Sequence, residues 1–97
     1  MSTLVAEVHA RDLAITEDNL VVDLIDGRSI TVPLAWYPRL QHGTSDERKN
    51  WRWIGNREGI RWPDLDEDIS VENLILGQPS GESQDSFRGW LEKRSAK

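Results

Sequence analysis

The dipeptide Asp26-Gly27, set between the branched runs Asn19–Ile25 and Arg28–Val32, constrains this chain more than any other feature. Asp-Gly between such runs signals a hairpin, because a two-residue type I′ turn needs φ > 0 at both central positions. Leu20, Val22 and Leu24 fall on one face of the first run, and Ile30 and Val32 are in phase on the second. Leu4, Ala6, Val8 and Ala10 alternate in the same way upstream. Leu13 to Thr16 reads as a further short strand, turning at Glu17-Asp18-Asn19. The first third is predicted to be an antiparallel meander.

From Pro33 the punctuation changes. A short helix fits near Ala35, with Pro38 tolerated in its first turn because first-turn N–H groups lack intrahelical partners. Thr44-Ser45-Asp46-Glu47 matches a capping box and predicts a helix over Ser45–Asn50. Trp51–Ile54 and Ile60–Trp62 read as two strands around Gly55–Gly59, with Trp51, Trp53 and Trp62 turned mainly into the core and Arg52 and Arg61 outward. Pro63 to Asp68 reads as an acidic turn. Ser70 is the expected N-cap of a helix carrying Val71, Leu74 and Ile75, with Gly77 behind it as the C′ residue.

Residues 3–77 thus form one predicted α+β domain: an antiparallel sheet of four to six strands with two or three short helices packed on it. A chain of 97 residues has room for no second domain. Residues 78–97 read as a polar linker and a short amphipathic segment, with Phe87, Trp90 and Leu91 spaced to share one helical face. A helix that short needs a surface to hold it, on the same chain or on another.

Charge and residue inventory narrow the function. There are 17 acidic against 12 basic side chains, a formal charge of −5, which makes direct DNA binding a poor fit and suits a basic partner. The chain has no Cys, which removes thiolate metal sites and a Cys nucleophile, and each of its two His reads as a surface or hydrogen-bonded residue rather than a general base. Asp64, Asp66 and Asp68 alternate like the opening of a calcium loop. Ile69 and Ile75, however, stand where such a loop needs glycine and a bidentate glutamate. The expectation is a non-enzyme without cofactor or metal. Glu7 interrupts the opening apolar run and no long apolar stretch follows, so the expected setting is cytoplasmic, away from membranes.

Two segments carry a resemblance. Pro33-Leu34-Ala35-Trp36-Tyr37-Pro38-Arg39-Leu40 and Gly59-Ile60-Arg61-Trp62-Pro63-Asp64-Leu65-Asp66-Glu67-Asp68-Ile69-Ser70, closed by Leu74-Ile75-Leu76-Gly77, resemble the signature of the bacterial domain of unknown function 2442 family. The resemblance spans about residues 3–77 and implies an α+β fold. Some relatives carry a helix-turn-helix domain after this module, and others resemble one half of a toxin–antitoxin arrangement. About 20 residues after Gly77 cannot hold a helix-turn-helix domain. The resemblance therefore implies a protein-interaction module, the antitoxin-like partner of a small, basic, toxin-like protein or a regulatory accessory domain, with a homo-oligomer also compatible. A small-ligand or sensory module is the first alternative and a weak nucleic-acid-binding accessory protein the second. The binding candidates are Trp36, Tyr37, Arg39, Trp62, Asp64, Asp66, Glu67 and Asp68. Phe87, Trp90 and Leu91 are the tail's contact candidates. No catalytic residue carries over.

Overall fold

In the computed structural model, residues 9–95 are described. Six strands form two antiparallel three-stranded sheets: β1 (Ala10–Ile15), β2 (Asn19–Leu24) and β3 (Ser29–Pro33) in one, β4 (Arg52–Ile54), β5 (Gly59–Trp62) and β6 (Glu67–Ser70) in the other. Four short helices accompany them: α1 (Pro38–His42), α2 (Ser45–Lys49), α3 (Val71–Leu76) and α4 (Gln84–Ser95). The fold is α+β, with the strands divided between two sheets. Leu4, Ala6 and Val8 lie outside the described residues; Ala10 opens β1, which runs on into the expected Leu13–Thr16 strand with a bulge between Ala10 and Asp12.

The β2–β3 hairpin forms where the Asp-Gly signal placed it, but with a different turn. The Gly27 amide donates to the Leu24 carbonyl and the Leu24 amide to the Arg28 carbonyl. Gly27 is at φ 96, whereas Asp26 is not in the positive-φ region. This is a three-residue loop with one left-handed residue, not the two-residue I′ turn. The Asp26 carboxylate favours it by accepting from the Arg28 amide (3.0 Å) and side chain (2.8 Å).

Strict alternation on β2 places Leu20, Val22 and Leu24 in one cluster with Val32 from β3 and with Ile60, Trp62 and Ile69 from the second sheet. Ala10, Leu34, Tyr37, Leu40, Leu65, Val71 and Leu74 complete it. Trp62 is fully buried, as expected, and its indole N–H donates to the Arg48 carbonyl at 3.0 Å. Trp51 and Trp53 are only half-buried. Trp51 precedes and Trp53 sits within a three-residue strand that covers little, and they pack edge-to-face on each other at 4.9 Å.

The helical stretch from Pro33 divides in two. A single 3₁₀ turn covers Leu34–Trp36, Tyr37 leaves helical geometry, and Pro38 occupies the first position of α1. The ring of Pro38 disfavours the α region for Tyr37 and so sets this break. Both sides of the Thr44–Glu47 capping box are made, Ser70 caps α3, and Gly77 closes it in the left-handed region. The last carbonyls of α1 are met by Arg48, whose guanidinium donates to Leu40 and Gln41.

The acidic segment holds a strand that the sequence reading took for turn. Pro63–Asp66 makes the turn, with Asp66 at φ 50, and Glu67–Ser70 then pairs with β5. Glu and Asp have low strand propensity, so only the cross-strand partners reveal β6. One of these is Asp68 opposite Arg61, joined at 2.8 Å.

Gly43 lies between α1 and α2 because nothing larger fits. A Cβ there would stand 2.8 and 2.9 Å from the two Leu65 methyls, and Leu65 is fully buried. Gly43→Ala is expected to lower stability by about 1–3 kcal/mol through overpacking. Leu65→Val in the same chain should offset part of that loss in urea denaturation.

Candidate functional site

Arg39, on the first turn of α1, is the hub that ties the tail to the acidic turn. Its guanidinium donates to both carboxylate oxygens of Glu82 (Nε at 2.9 and 3.0 Å) and to the Asp66 carbonyl at 3.1 Å, with the Asp66 carboxylate 3.6 Å away. The Arg39 and Glu82 side chains are 16% and 10% exposed, so this pair is largely sheltered. Hydrogen bonds from Arg39 and Ser86 hold the Glu82 carboxyl below its usual range. Glu82 lies 43 residues from Arg39 and carries no local signal, so the sequence reading missed it.

A second arginine divides the remaining charge. Arg61 bonds Asp68 at 2.8 Å and Asp66 at 3.1 Å, while Asp64 accepts from the Asn50 amide at 2.9 Å. The three aspartates therefore do not converge on one point. Among the described residues, no group of three or more His, Asp or Glu side chains is arranged to hold a metal ion. Asp66, Asp68 and Glu82 pair with the two guanidiniums, while Asp64 and Glu67, the remaining carboxylates of the set, form no ion pair among the described residues.

Glu67 is the displaced member of that set. Register places it opposite Trp62, on the inner face of β6, and burial pushes its carboxyl from 4.5 up to about 7. Arg39 opposes the shift, and Glu82, Asp68 and Asp66 reinforce it. A carboxyl raised on folding stabilises the fold while protonated. That contribution is whole below about 4.5 and is lost as pH rises through about 7. Glu47 has the opposite sign. Hydrogen bonds from Arg94 and from the Thr44 backbone hold it near 2, so its contribution is lost as pH falls below 4.5. Thermal stability should therefore decline between pH 5 and 8. Glu67→Gln should flatten that limb and be about 1–2 kcal/mol more stable at pH 8, discounted for partial exposure.

The other predicted residues separate by role. Tyr37 is buried, its hydroxyl donates to the Gln78 carbonyl at 3.2 Å, and burial raises its pKa to about 12. Trp36 is half-buried and its carbonyl accepts from the Ser80 amide at 3.0 Å. Trp62 has no surface to offer a ligand. Tyr37, Glu67 and Asp68 line a cleft of about 150 Å³ with Ser70 and Ser80.

The tail continues from this cleft past Arg39 into a last helix. Helix α4 starts at Gln84, ahead of the apolar face that announced it. Phe87 and Trp90 stack at 5.7 Å and His42 meets both edge-on, while Arg39 and Arg94 stand 5.3 and 4.7 Å from the Trp90 ring centre. Arg94 also bonds Glu47 at 2.9 and 3.1 Å. Between α4 and the acidic turn runs a groove of about 660 Å³, walled by Asp64 and Asp66 on one side and by Trp90, Leu91 and Lys93 on the other.

Comparison with known proteins agrees with this architecture. A crystal structure of a protein of unknown function from Rhodospirillum rubrum ATCC 11170 superposes with a TM-score of 0.67 at 22% identity, covering 80% of this chain and 96% of that one. At that identity the likeness shows a shared fold. Curated proteins provide no match. Residues 10–80 match the family model described as Protein of unknown function (DUF2442), the stretch that holds both signature segments. The chain belongs to the domain of unknown function 2442 family.

Proposed function

We propose that this chain is a protein-interaction module that takes a basic segment of a small second protein into the groove between the β5–β6 turn and α4, as the neutralising half of an antitoxin-like pair. One observation carries the reading: Asp64 and Asp66 face Trp90 and Leu91, which are flanked by Lys93 and Arg94, across about 660 Å³ of open groove. Charge on one wall steers and registers a basic segment, and the aromatic wall supplies the desolvated contact. The small-ligand reading rests on the cleft beside Glu67, whose displaced pKa is a mark of functional sites. At about 150 Å³ that cleft is below the roughly 300 Å³ of ordinary ligand pockets, which ranks it second.

The test is co-purification of the tagged chain from its native host, alongside Asp64→Asn/Asp66→Asn/Asp68→Asn. Asparagine is chosen because it tolerates the positive φ of Asp66. The surface ion pairs lost are worth at most about 1 kcal/mol each, so the fold should persist. A stoichiometric basic protein should remain with the parent chain and bind the variant about tenfold more weakly at low salt. Equal retention by both, or a co-eluting metabolite in place of a protein, would remove the proposal.

A further inference from the structure

The free edge of β1 is independent of the acidic groove. The order β1-β2-β3 leaves β1 without a strand neighbour on its outer side among the described residues. The Thr16 amide donates to the Asn19 carbonyl, which sets the ladder's phase: Ala14 and Asp12 exchange bonds with Val21 and Asp23. Leu13 and Ile15 therefore direct their N–H and C=O groups outward. The first half of this edge is guarded. A bulge interrupts it between Ala10 and Asp12, and the Asp12 carboxylate accepts from the Leu13 amide at 2.8 Å. Among the described residues the second half has no such guard, and the Leu13 carbonyl and both backbone groups of Ile15 are presented there.

We propose that this half-edge is the docking surface for a second copy of the chain, antiparallel, with Ala14 on the two-fold axis. The two β1-β2-β3 sheets then join into one six-stranded sheet. Self-complementarity argues for this occupant. With Ala14 opposite Ala14, the outward groups of Leu13 face those of Ile15, so Ile15 N–H to Leu13 C=O bonds form twice. The same register brings Arg11 of each copy alongside Glu17 of the other. Both side chains are exposed, and neither makes an ion pair among the described residues. A groove of about 280 Å³ lies between this edge and α2, lined by the half-buried Leu13, Ile15 and Trp51. It receives the apolar side chains of the incoming strand. A closed two-fold pairing also removes the hazard of an open edge without propagating into a fibre.

Three measurements on the full chain test the proposal. Sedimentation equilibrium from micromolar to millimolar concentration should show a monomer–dimer equilibrium. Because the chain has no Cys, Ala14→Cys is a clean probe. Paired across the axis at a non-hydrogen-bonded position, its Cα atoms would be about 4.5 Å apart, within disulfide reach. It should cross-link at least about tenfold faster than Thr31→Cys, an exposed control on β3. Glu17→Arg should raise the dissociation constant several-fold, and Arg11→Glu/Glu17→Arg should restore it. A chain still monomeric at millimolar concentration overturns the proposal. So does a dimer in which Ala14→Cys cross-links no faster than Thr31→Cys, or one indifferent to Glu17→Arg. Protection of the Ile15 amide from exchange only when a different protein is bound would give the edge to that protein and equally overturn it.

Discussion

Trp62→Ala is expected to destabilise the fold by about 3–5 kcal/mol, the cost of emptying a fully buried aromatic site. A domain of this size commands about 5–15 kcal/mol in total, so the variant should be largely or partly unfolded at 37 °C. Two effects combine at this position. The ring is a fully buried member of the shared core, and its N–H satisfies the Arg48 carbonyl at the end of α2. Trp62→Phe separates them. It keeps most of the packing and leaves that carbonyl without its donor, an expected loss of about 1–3 kcal/mol. Urea denaturation of the three chains checks both values. A loss below about 1 kcal/mol for the alanine variant would show that the sheet tolerates the cavity by collapsing around it.

Arg39→Ala is the second large effect, and its origin is electrostatic. Removing the guanidinium leaves Glu82 with Ser86 as its only side-chain donor, and takes a cation from the face of Trp90. Stranding one member of a fully buried pair costs about 3–5 kcal/mol, and both partners here are only part-buried, so about 1–3 kcal/mol is expected. The loss should be local first, with amide protons of α4 exchanging faster at denaturant concentrations where β2 and β5 remain protected. Glu82→Gln in the same chain should recover part of the stability, because it removes the stranded charge. Arg39→Lys should rescue incompletely, since an ammonium cannot make the two-pronged contact and also reach the Asp66 carbonyl. Equal exchange of α4 in wild type and variant would show that Trp90 and the Arg94–Glu47 pair hold the tail without Arg39.

Local chemistry was readable wherever it was also the deciding force. The Thr44–Glu47 box, the Ser70 cap and Gly77 appear as read, because each satisfies or releases backbone groups within a few residues. Alternation on β2 was readable for the same reason: side-chain period, not distant context, sets which residues face the core. The signature segments named the family, and the match over residues 10–80 bears this out. Where two local signals competed, the reading was less sharp. Asp26-Gly27 announced a hairpin but not its loop length, and Pro38 split a helical stretch that composition alone would have joined.

The sequence by itself determined the α+β class, the hairpin after β2, the helix caps and the burial of Trp62, because these follow from periodicity and from backbone groups satisfied nearby. The tertiary structure alone decided that Glu67–Ser70 is a strand, that Trp51 and Trp53 stay half-exposed, and that Arg39 takes Glu82 as well as Asp66 of the turn. The physical reason is separation along the chain. A charged segment becomes a strand only when a partner across the ladder, here Arg61, meets its charge. Likewise Arg39 meets Glu82 from 43 residues away, a contact that belongs to the folded surface rather than to any run of residues.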